Sequence, residues 1–434
     1  MVAIDMKVQI IHRETIKPSS PTPHHLKTHK LCLVDQLAPV MYVPLLLFYP
    51  NSNGLSISEK TKLLRNTLSQ TLTLFYPLAG RISTDFSSID CNDNGAEFIE
   101  AKTNCKMAKI MEKPDEYYLR QFLAAEPESK EASKSYLLLV QATFFQCGGM
   151  VIGLSFSHNA MDAASLSTFL NTWSAIALES GEFSVPEFGA GLLLPPADLS
   201  NNINSEPPSV ELVHGNFTTR RFVFEPEKIA SLQSIAASEK AKNPTRVEAV
   251  CALIWKSAIQ ASRSNRGNSV RPSVFCQTMN LRWRTIPPLA KNIIGNLVAN
   301  FTTVVEESEI DLENLVAKLR EGIEEVKESY GRGLDVKEVQ KALEKCGNLI
   351  KKDGIDNYNC TSWCRFPFYK ADFGWGKPDW VSICKMEFKN FVFMIDTKDG
   401  DGIEAWLILS EEDMELVERN QELLAFALLN PSIT

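Results

Sequence analysis

The chain has 434 residues, 44% of them hydrophobic and 23% charged, which excludes a disordered or fibrous polymer and leaves length for two or three domains. Its 53 acidic residues outnumber its 45 basic ones, and Lys and Arg are scattered, so neither nucleic acid nor an anionic membrane is an expected partner. A local group of basic side chains and backbone N–H groups remains compatible with a small anionic ligand.

From the N-terminus, residues 1–14 interleave Asp5, Lys7, His12 and Arg13 with apolar residues and lack a signal-type apolar core. The longest apolar run, 37–50, is interrupted by Pro39 and Pro44 and is too short to span a bilayer, so a cytoplasmic protein is expected. A polar N-terminal segment holds His12, His24, His25 and His29. Leu63, Leu64, Leu68 and Leu72 share one face of a helix over 58–73. Two apolar runs, 136–145 and 150–157, flank Cys147-Gly148-Gly149 and predict a hairpin, followed by a helix over 163–177.

Residues 182–213 are rich in Pro, Gly, Ser and Asn with little periodicity, and predict a linker between units 1–181 and 214–434, with His214 at its exit. Thr245 and Glu248 have capping-box spacing ahead of an apolar helix reaching Ile259. Leu312, Leu315, Leu319, Ile323 and Val326 form a second amphipathic stripe, and the Lys-rich 337–352 stretch predicts a solvated helix face. A last hairpin pairs 391–396 with 405–410 around an acidic turn that lacks the ligand spacing of a calcium loop. This mixture of helices and strands argues for a mixed α/β fold.

The ten cysteines include no CxxC pair and no Cys/His cluster at zinc spacing, so free thiols and no metal are expected. There is no GxSxG elbow, no Walker loop and no GxGxxG. Among the six histidines only His158 occupies a chemically suggestive place, at the junction between the 150–157 strand and the 163–177 helix. Asp162 follows four residues later. A carboxylate at that spacing either orients the imidazole or pins the junction through an ion pair elsewhere, and the spacing alone does not choose.

His158 to Asp162 reads HxxxD, and Asp372-Phe373-Gly374-Trp375-Gly376 reads DFGWG far downstream. Together they resemble the paired motifs of the plant BAHD acyltransferases. The resemblance extends through Leu33-Val34-Asp35-Gln36, the 75–81 segment, Asp90-Cys91-Asn92-Asp93, Cys147-Gly148-Gly149, Asn280-Leu281-Arg282 and Thr361-Ser362-Trp363-Cys364-Arg365, and so covers nearly the whole chain. Residues 20–23 and 362–378 look most like the alkaloid O-acetyltransferases of that family.

The resemblance implies a two-domain, chloramphenicol-acetyltransferase-like fold with a long crossover and an interdomain channel centred on the His. It implies a monomer with no permanently bound cofactor, using an acyl-CoA, acetyl-CoA above others, as co-substrate and a small-molecule alcohol as acceptor. The alternatives are a hydroxycinnamoyl or other acyl donor with a phenolic or amine acceptor, and a non-catalytic ligand-binding relative. In such an enzyme His158 is the general base. Asp162, the other residue of the catalytic motif, turns away to pair with Arg282. Thr361, Ser362, Asn296 and the Trp375 indole are the candidates to face an oxyanion. Asp372, Phe373, Gly374, Trp375 and Gly376 support the architecture, while Asn159 and Met161 are expected to shape the pocket floor.

Overall fold

The computed structural model describes residues 6–52, 54–198, 216–350 and 352–433. The strands of the first half are β1 (Val8–Ile16), β2 (Thr28–Lys30), β3 (Tyr42–Tyr49), β4 (Arg81–Ile82), β5 (Ser88–Asp90), β6 (Ala96–Thr103), β7 (Leu138–Phe144) and β8 (Met150–Ser157). Those of the second are β9 (Phe217–Phe224), β10 (Ser273–Asn280), β11 (Val298–Val305), β12 (Asp356–Ser362), β13 (Trp380–Ser382), β14 (Phe391–Asp396), β15 (Ile403–Ser410) and β16 (Leu428–Leu429).

One sheet has the order β1-β6-β7-β8-β3-β13 and a second the order β11-β10-β12-β14-β15-β9-β16, with β2, β5 and β4 in a small third. Strands β3, β7 and β8 are buried at every position, which is why their sequences run apolar without alternation: both faces are covered. Burying Leu45, Leu46, Leu47 and Phe48 contributes about 1.5–3 kcal/mol each.

Helices Ile57–Leu74 and Ala163–Ala177 pack together beside this sheet, tied by the Trp173 indole donating to Thr67 Oγ1 at 3.0 Å. The first starts at a capping box between Ser56 and Glu59. Beside the second sheet, Thr245 and Glu248 form the expected capping box at the head of Arg246–Asn265, which packs against Leu312–Tyr330. The predicted 136–145/150–157 and 391–396/405–410 hairpins are both present, as β7–β8 and β14–β15.

Chain order does not divide the sheets at the crossover as the 1–181 and 214–434 units anticipate. β13 joins the edge of the first sheet by pairing Trp380 with Phe48, and Phe368, Phe373 and Trp375 enter the first core. Conversely Leu33, Val34, Ala190 and Leu194 sit in the second core. A buried joint marks the exchange: the Trp380 indole stacks on Phe48 at 5.0 Å and donates to Glu404 Oε2 of β15 at 3.2 Å, while Arg221 pairs with the same carboxylate at 3.0 Å.

The predicted linker is ordered where it is described. Gln36 and Ala197 exchange two hydrogen bonds, Glu187 bridges Ile293, and Ala190–Leu193 is helical, whereas 199–213 and His214 lie outside the described residues. His29, placed by its sequence neighbours in a polar segment, is instead buried edge-on to Phe188 at 5.4 Å, and burial lowers its pKa to about 4. Among the described residues no helix is long and apolar enough to cross a membrane.

Candidate active site

Register places the histidine. β3 runs antiparallel to β8 with Tyr42 opposite Ser157, so the next residue leaves the sheet at its end, its N–H donating to Met41 O at 3.0 Å. The backbone turns through 158–160 before Asp162 caps the Ala163–Ala177 helix. His158 is half-buried and lines a cavity of about 220 Å³ between the two sheets. Its Nδ1 is buried without a hydrogen-bond partner. Desolvation lowers the imidazole pKa from its usual 6.5, against its own backbone carbonyl, the Asp162 charge and Asn296, which pull the other way.

The Asp162 carboxylate does not serve the imidazole. Its Oδ1 accepts from Ser165 N and Ser165 Oγ, each at 2.8 Å, which is an N-cap bond plus a side-chain bond. Oδ2 accepts from Arg282 Nη1 at 2.7 Å and from Leu297 N at 3.2 Å, and Arg282 Nη2 reaches Oδ1 at 3.2 Å. The predicted Asp162–Arg282 pair is therefore present, bidentate and buried. Arg282 spends its other donors on Ile293 O and Gly295 O, stitching the 293–297 turn to the His158 turn.

A second buried carboxylate, which sequence reasoning missed as a site residue, holds the same turn from the other side. Asp35 Oδ1 accepts from Asn296 N at 2.7 Å and Asn296 Nδ2 at 2.8 Å, and Oδ2 accepts from Cys32 N at 2.7 Å. Asn296 Nδ2 also donates to His158 O at 2.7 Å. Burial without a cation raises the Asp35 pKa from 3.8 to about 6, although these hydrogen bonds oppose the shift. Gly295 sits between the two carboxylates at φ +130°, where a Cβ would come within 2.7 Å of the Ala190 methyl. The sequence does carry one signal for Asp35: Cys32 and Asp35 have the spacing of a capping box, and form one.

Asn159 and Met161 are not the pocket floor. Asn159 Nδ2 donates to Asp35 O at 2.9 Å and Ala38 O at 2.8 Å, and Met161 is fully buried in the first core, so both anchor the His158 turn from behind. The floor is the second sheet. Thr278 lies beside Asn300 on one side and Thr361 on the other, and Cys276 lies beside Asn359, so these side chains share the face turned to the cavity.

Asn296, Thr361 and Ser362 all line the cavity. Both amide hydrogens of Asn296 are engaged, and Ser362 Oγ accepts from Cys364 N at 3.4 Å. Asp372, Phe373, Gly374, Trp375 and Gly376 do not line it. Asp372 Oδ1 accepts from Gly374 N at 2.8 Å and Gly376 N at 3.0 Å, closing a tight turn in which both glycines have φ near +100° (+98° and +99°). Phe373 and Trp375 stack at 5.5 Å and meet Tyr49 edge-on, so the motif fastens this segment to β3.

The Lys-rich stretch forms the helix Val336–Ile350, with Lys337, Lys341 and Lys345 exposed as expected. Its other face supplies Val339, Ala342, Leu343 and Cys346 to the cavity, a contribution hidden by the lysine run.

A family model described as the Transferase family matches residues 6–424. Stemmadenine O-acetyltransferase of Catharanthus roseus is 36% identical over 95% of this chain and 96% of its own length. Vinorine synthase of Rauvolfia serpentina is 38% identical over 95% and 96%, and BAHD acyltransferase BIA1 of Arabidopsis thaliana 37% identical over 99% and 100%. The chain belongs to the BAHD acyltransferase family.

The crystal structure of vinorine synthase superposes with a TM-score of 0.85 at 35% identity, covering 98% of this chain and 99% of that one. The structure of F. sporotrichioides TRI101 with coenzyme A and T-2 shares the fold at a TM-score of 0.73 and 20% identity, covering 93% and 99%. As a BAHD protein the chain is an acyltransferase, and the two-domain α/β architecture expected of it is present. His158 and Asp162 stand where the strand end and the helix cap of that architecture meet.

Proposed function

We propose that this BAHD enzyme transfers an acyl group, acetyl above others, from a CoA thioester to a hydroxyl of an apolar specialised metabolite, with His158 as general base. The observation that supports it most is an imidazole, depressed in pKa and with Nδ1 unpartnered, lining a cavity where Asp162, the only charged side chain among the described lining residues, is already paired with Arg282. Stemmadenine O-acetyltransferase and vinorine synthase, by name and similarity, support the alkaloid or terpenoid alcohol as acceptor class. A mostly apolar wall, whose lining carboxylate Asp162 is neutralised by Arg282, agrees with an acceptor that brings little charge of its own.

A thioester carbonyl is already electrophilic, because sulfur donates poorly into it and the CoA thiolate leaves readily; what is missing is a nucleophile. Since Nδ1 is buried, we assign Nε2 as the nitrogen that takes the proton of the acceptor hydroxyl as its oxygen attacks. The tetrahedral intermediate then collapses with loss of the thiolate, to which the imidazolium returns the proton, and no acyl-enzyme is needed. Thr361, on the cavity face of β12, is the oxyanion donor we favour, because the amide hydrogens of Asn296 are spent on holding His158 O and Asp35. Asp162 and Arg282 position the base, and the Asp372–Gly376 turn fastens the scaffold.

Acetyl-CoA offered with a panel of alkaloid and terpenoid alcohols should release CoA thiol in step with acetyl ester. Absence of acceptor-dependent thiol release from acetyl-CoA or any longer acyl-CoA, with CoA binding intact, would sink the enzymatic reading.

The depressed pKa fixes the pH profile. The base is active when neutral, so activity persists as pH falls to 6.5 and declines only once pH drops through the lowered value. The acid limb of kcat/KM should therefore lie below pH 6.5, and a limb at or above that value would exclude His158 as the titrating base.

A further inference from the structure

Two thiols stand in the cavity wall that acyl transfer does not use. Cys276 points from the cavity face of β10, and Cys346 from the apolar face of the Val336–Ile350 helix. Their sulfurs are 3.1 Å apart, although the residues are 70 positions apart in sequence. A second thiol pair, Cys251 and Cys360, is at the wider separation of 3.7 Å, and Cys251 does not line the cavity. Cys32, Cys91, Cys105 and Cys384 are buried away from the cavity, and Cys147 is exposed without a cysteine partner.

We propose that Cys276 and Cys346 form a reversible dithiol–disulfide site in the cavity wall, closed by low-molecular-weight disulfides, and that the closed form turns over more slowly. Closure needs the sulfurs to approach by about 1 Å, since a disulfide bond is about 2.05 Å long. Either thiol can donate in this contact, which holds Cys346 below the ordinary thiol pKa while the same contact and desolvation push Cys276 well above it. Cys346 is therefore the attacking sulfur.

The exchange balances. Cys346 thiolate attacks one sulfur of glutathione disulfide, forming a mixed disulfide and releasing one glutathione thiolate. Cys276 loses its proton and attacks Cys346 Sγ, releasing the second, so two protein thiols are oxidised while one external disulfide is reduced to two thiols. Both cysteines border the cavity, through which the proposed exchange brings the reagent. The resulting bond ties the 336–350 helix to β10. That helix contributes Val339, Ala342 and Leu343 to the wall, so fixing it restricts the space an acceptor enters. In a reducing compartment such a bond is transient, as expected of a regulatory rather than a structural disulfide.

The bond itself stands apart from the acyl-transfer reading, whereas its effect on rate rests on that reading, and the two are measured separately. The reduced full-length protein is equilibrated in glutathione buffers of increasing disulfide fraction, acid-quenched, alkylated and digested for mass spectrometry. We expect two of the ten thiols to disappear together and a cross-linked peptide joining Cys276 to Cys346. The rate of acetyl-CoA turnover should fall several-fold in parallel and return with dithiothreitol. In Cys346→Ser the oxidised-to-reduced rate ratio should be one, whatever the variant's own rate. Absence of the 276–346 peptide, or a cross-link confined to Cys251 and Cys360, overturns the site. A complete cross-link without a change in rate, or an equal fall in Cys346→Ser, overturns the control of turnover. A reduced enzyme inactive on every acceptor is a failure of the acyl-transfer reading, while the peptide result still decides the disulfide.

Discussion

His158→Ala will lower kcat by about 10²–10⁴-fold, the contribution of a positioned general base, while the KM for the CoA ester stays near that of the parent. The base acts on the acceptor proton in the transition state and has no role in ground-state binding of the thioester. The substitution is also clean. Nδ1 of the imidazole has no hydrogen-bond partner, and the contacts that hold residue 158, from its N–H to Met41 O and from Asn296 to its carbonyl, belong to the backbone. Truncation therefore leaves no newly orphaned partner, and melting temperature should change little. Retention of near-parental kcat would remove His158 from the mechanism. A large fall in melting temperature accompanied by a proportionate rise in KM would make it a structural histidine.

The features legible in the sequence were those with a local period or a fixed local chemistry. Unbroken apolar runs announced β7 and β8, which are buried on both faces, and Thr245-x-x-Glu248 announced the head of a helix through the bonds it makes. His158 was legible because a titratable side chain follows an apolar strand and precedes a helix. Its pairing of Asp162 with Arg282 was not legible from spacing, since 120 residues separate the partners, and came from motif position alone.

Long-range features without a period stayed hidden. β13 is three residues, Trp380–Ser382, too short to show alternation, yet it returns the chain to the first sheet and defeats a boundary drawn only at a Pro- and Gly-rich crossover. Asp35 lies 261 positions from Asn296, and the one local signal it carries, capping-box spacing with Cys32, announces a helix start and not a carboxylate that steadies the His158 turn. The helix at 336–350 declared its lysines and concealed its cavity face, since a solvated stripe is a property of the opposite side of the same cylinder. His29 shows the converse failure: polar neighbours in sequence did not prevent Phe188 from covering it.

Asp162→Ala and Arg282→Ala will each destabilise the protein by about 3–5 kcal/mol, because either one strands the other's charge in a buried site. Asp162→Ala also removes the N-cap of the 163–177 helix, adding about 0.5–2 kcal/mol, and leaves Leu297 N without its acceptor. Arg282→Ala takes donors from Ile293 O and Gly295 O, loosening the turn that carries Asn296 to the backbone of His158. Turnover should fall with stability in both, through the position of the base and not through its proton. The double substitution removes both buried charges at once, so its cost should be smaller than the sum of the two by about 0.5–3 kcal/mol. Denaturant unfolding of the four proteins measures that coupling directly, and additive losses would show that the bidentate contact is not what holds the turn. Asp162→Asn separates positioning from proton chemistry, since it keeps the shape and an oxygen for Ser165 N but surrenders the charge that Arg282 needs. A variant that is less stable, with reduced kcat and an acid limb displaced only downward by loss of the charge that raises the His158 pKa, is the expected result. Full stability with abolished turnover and a displaced pH optimum would instead place Asp162 in the proton transfer itself.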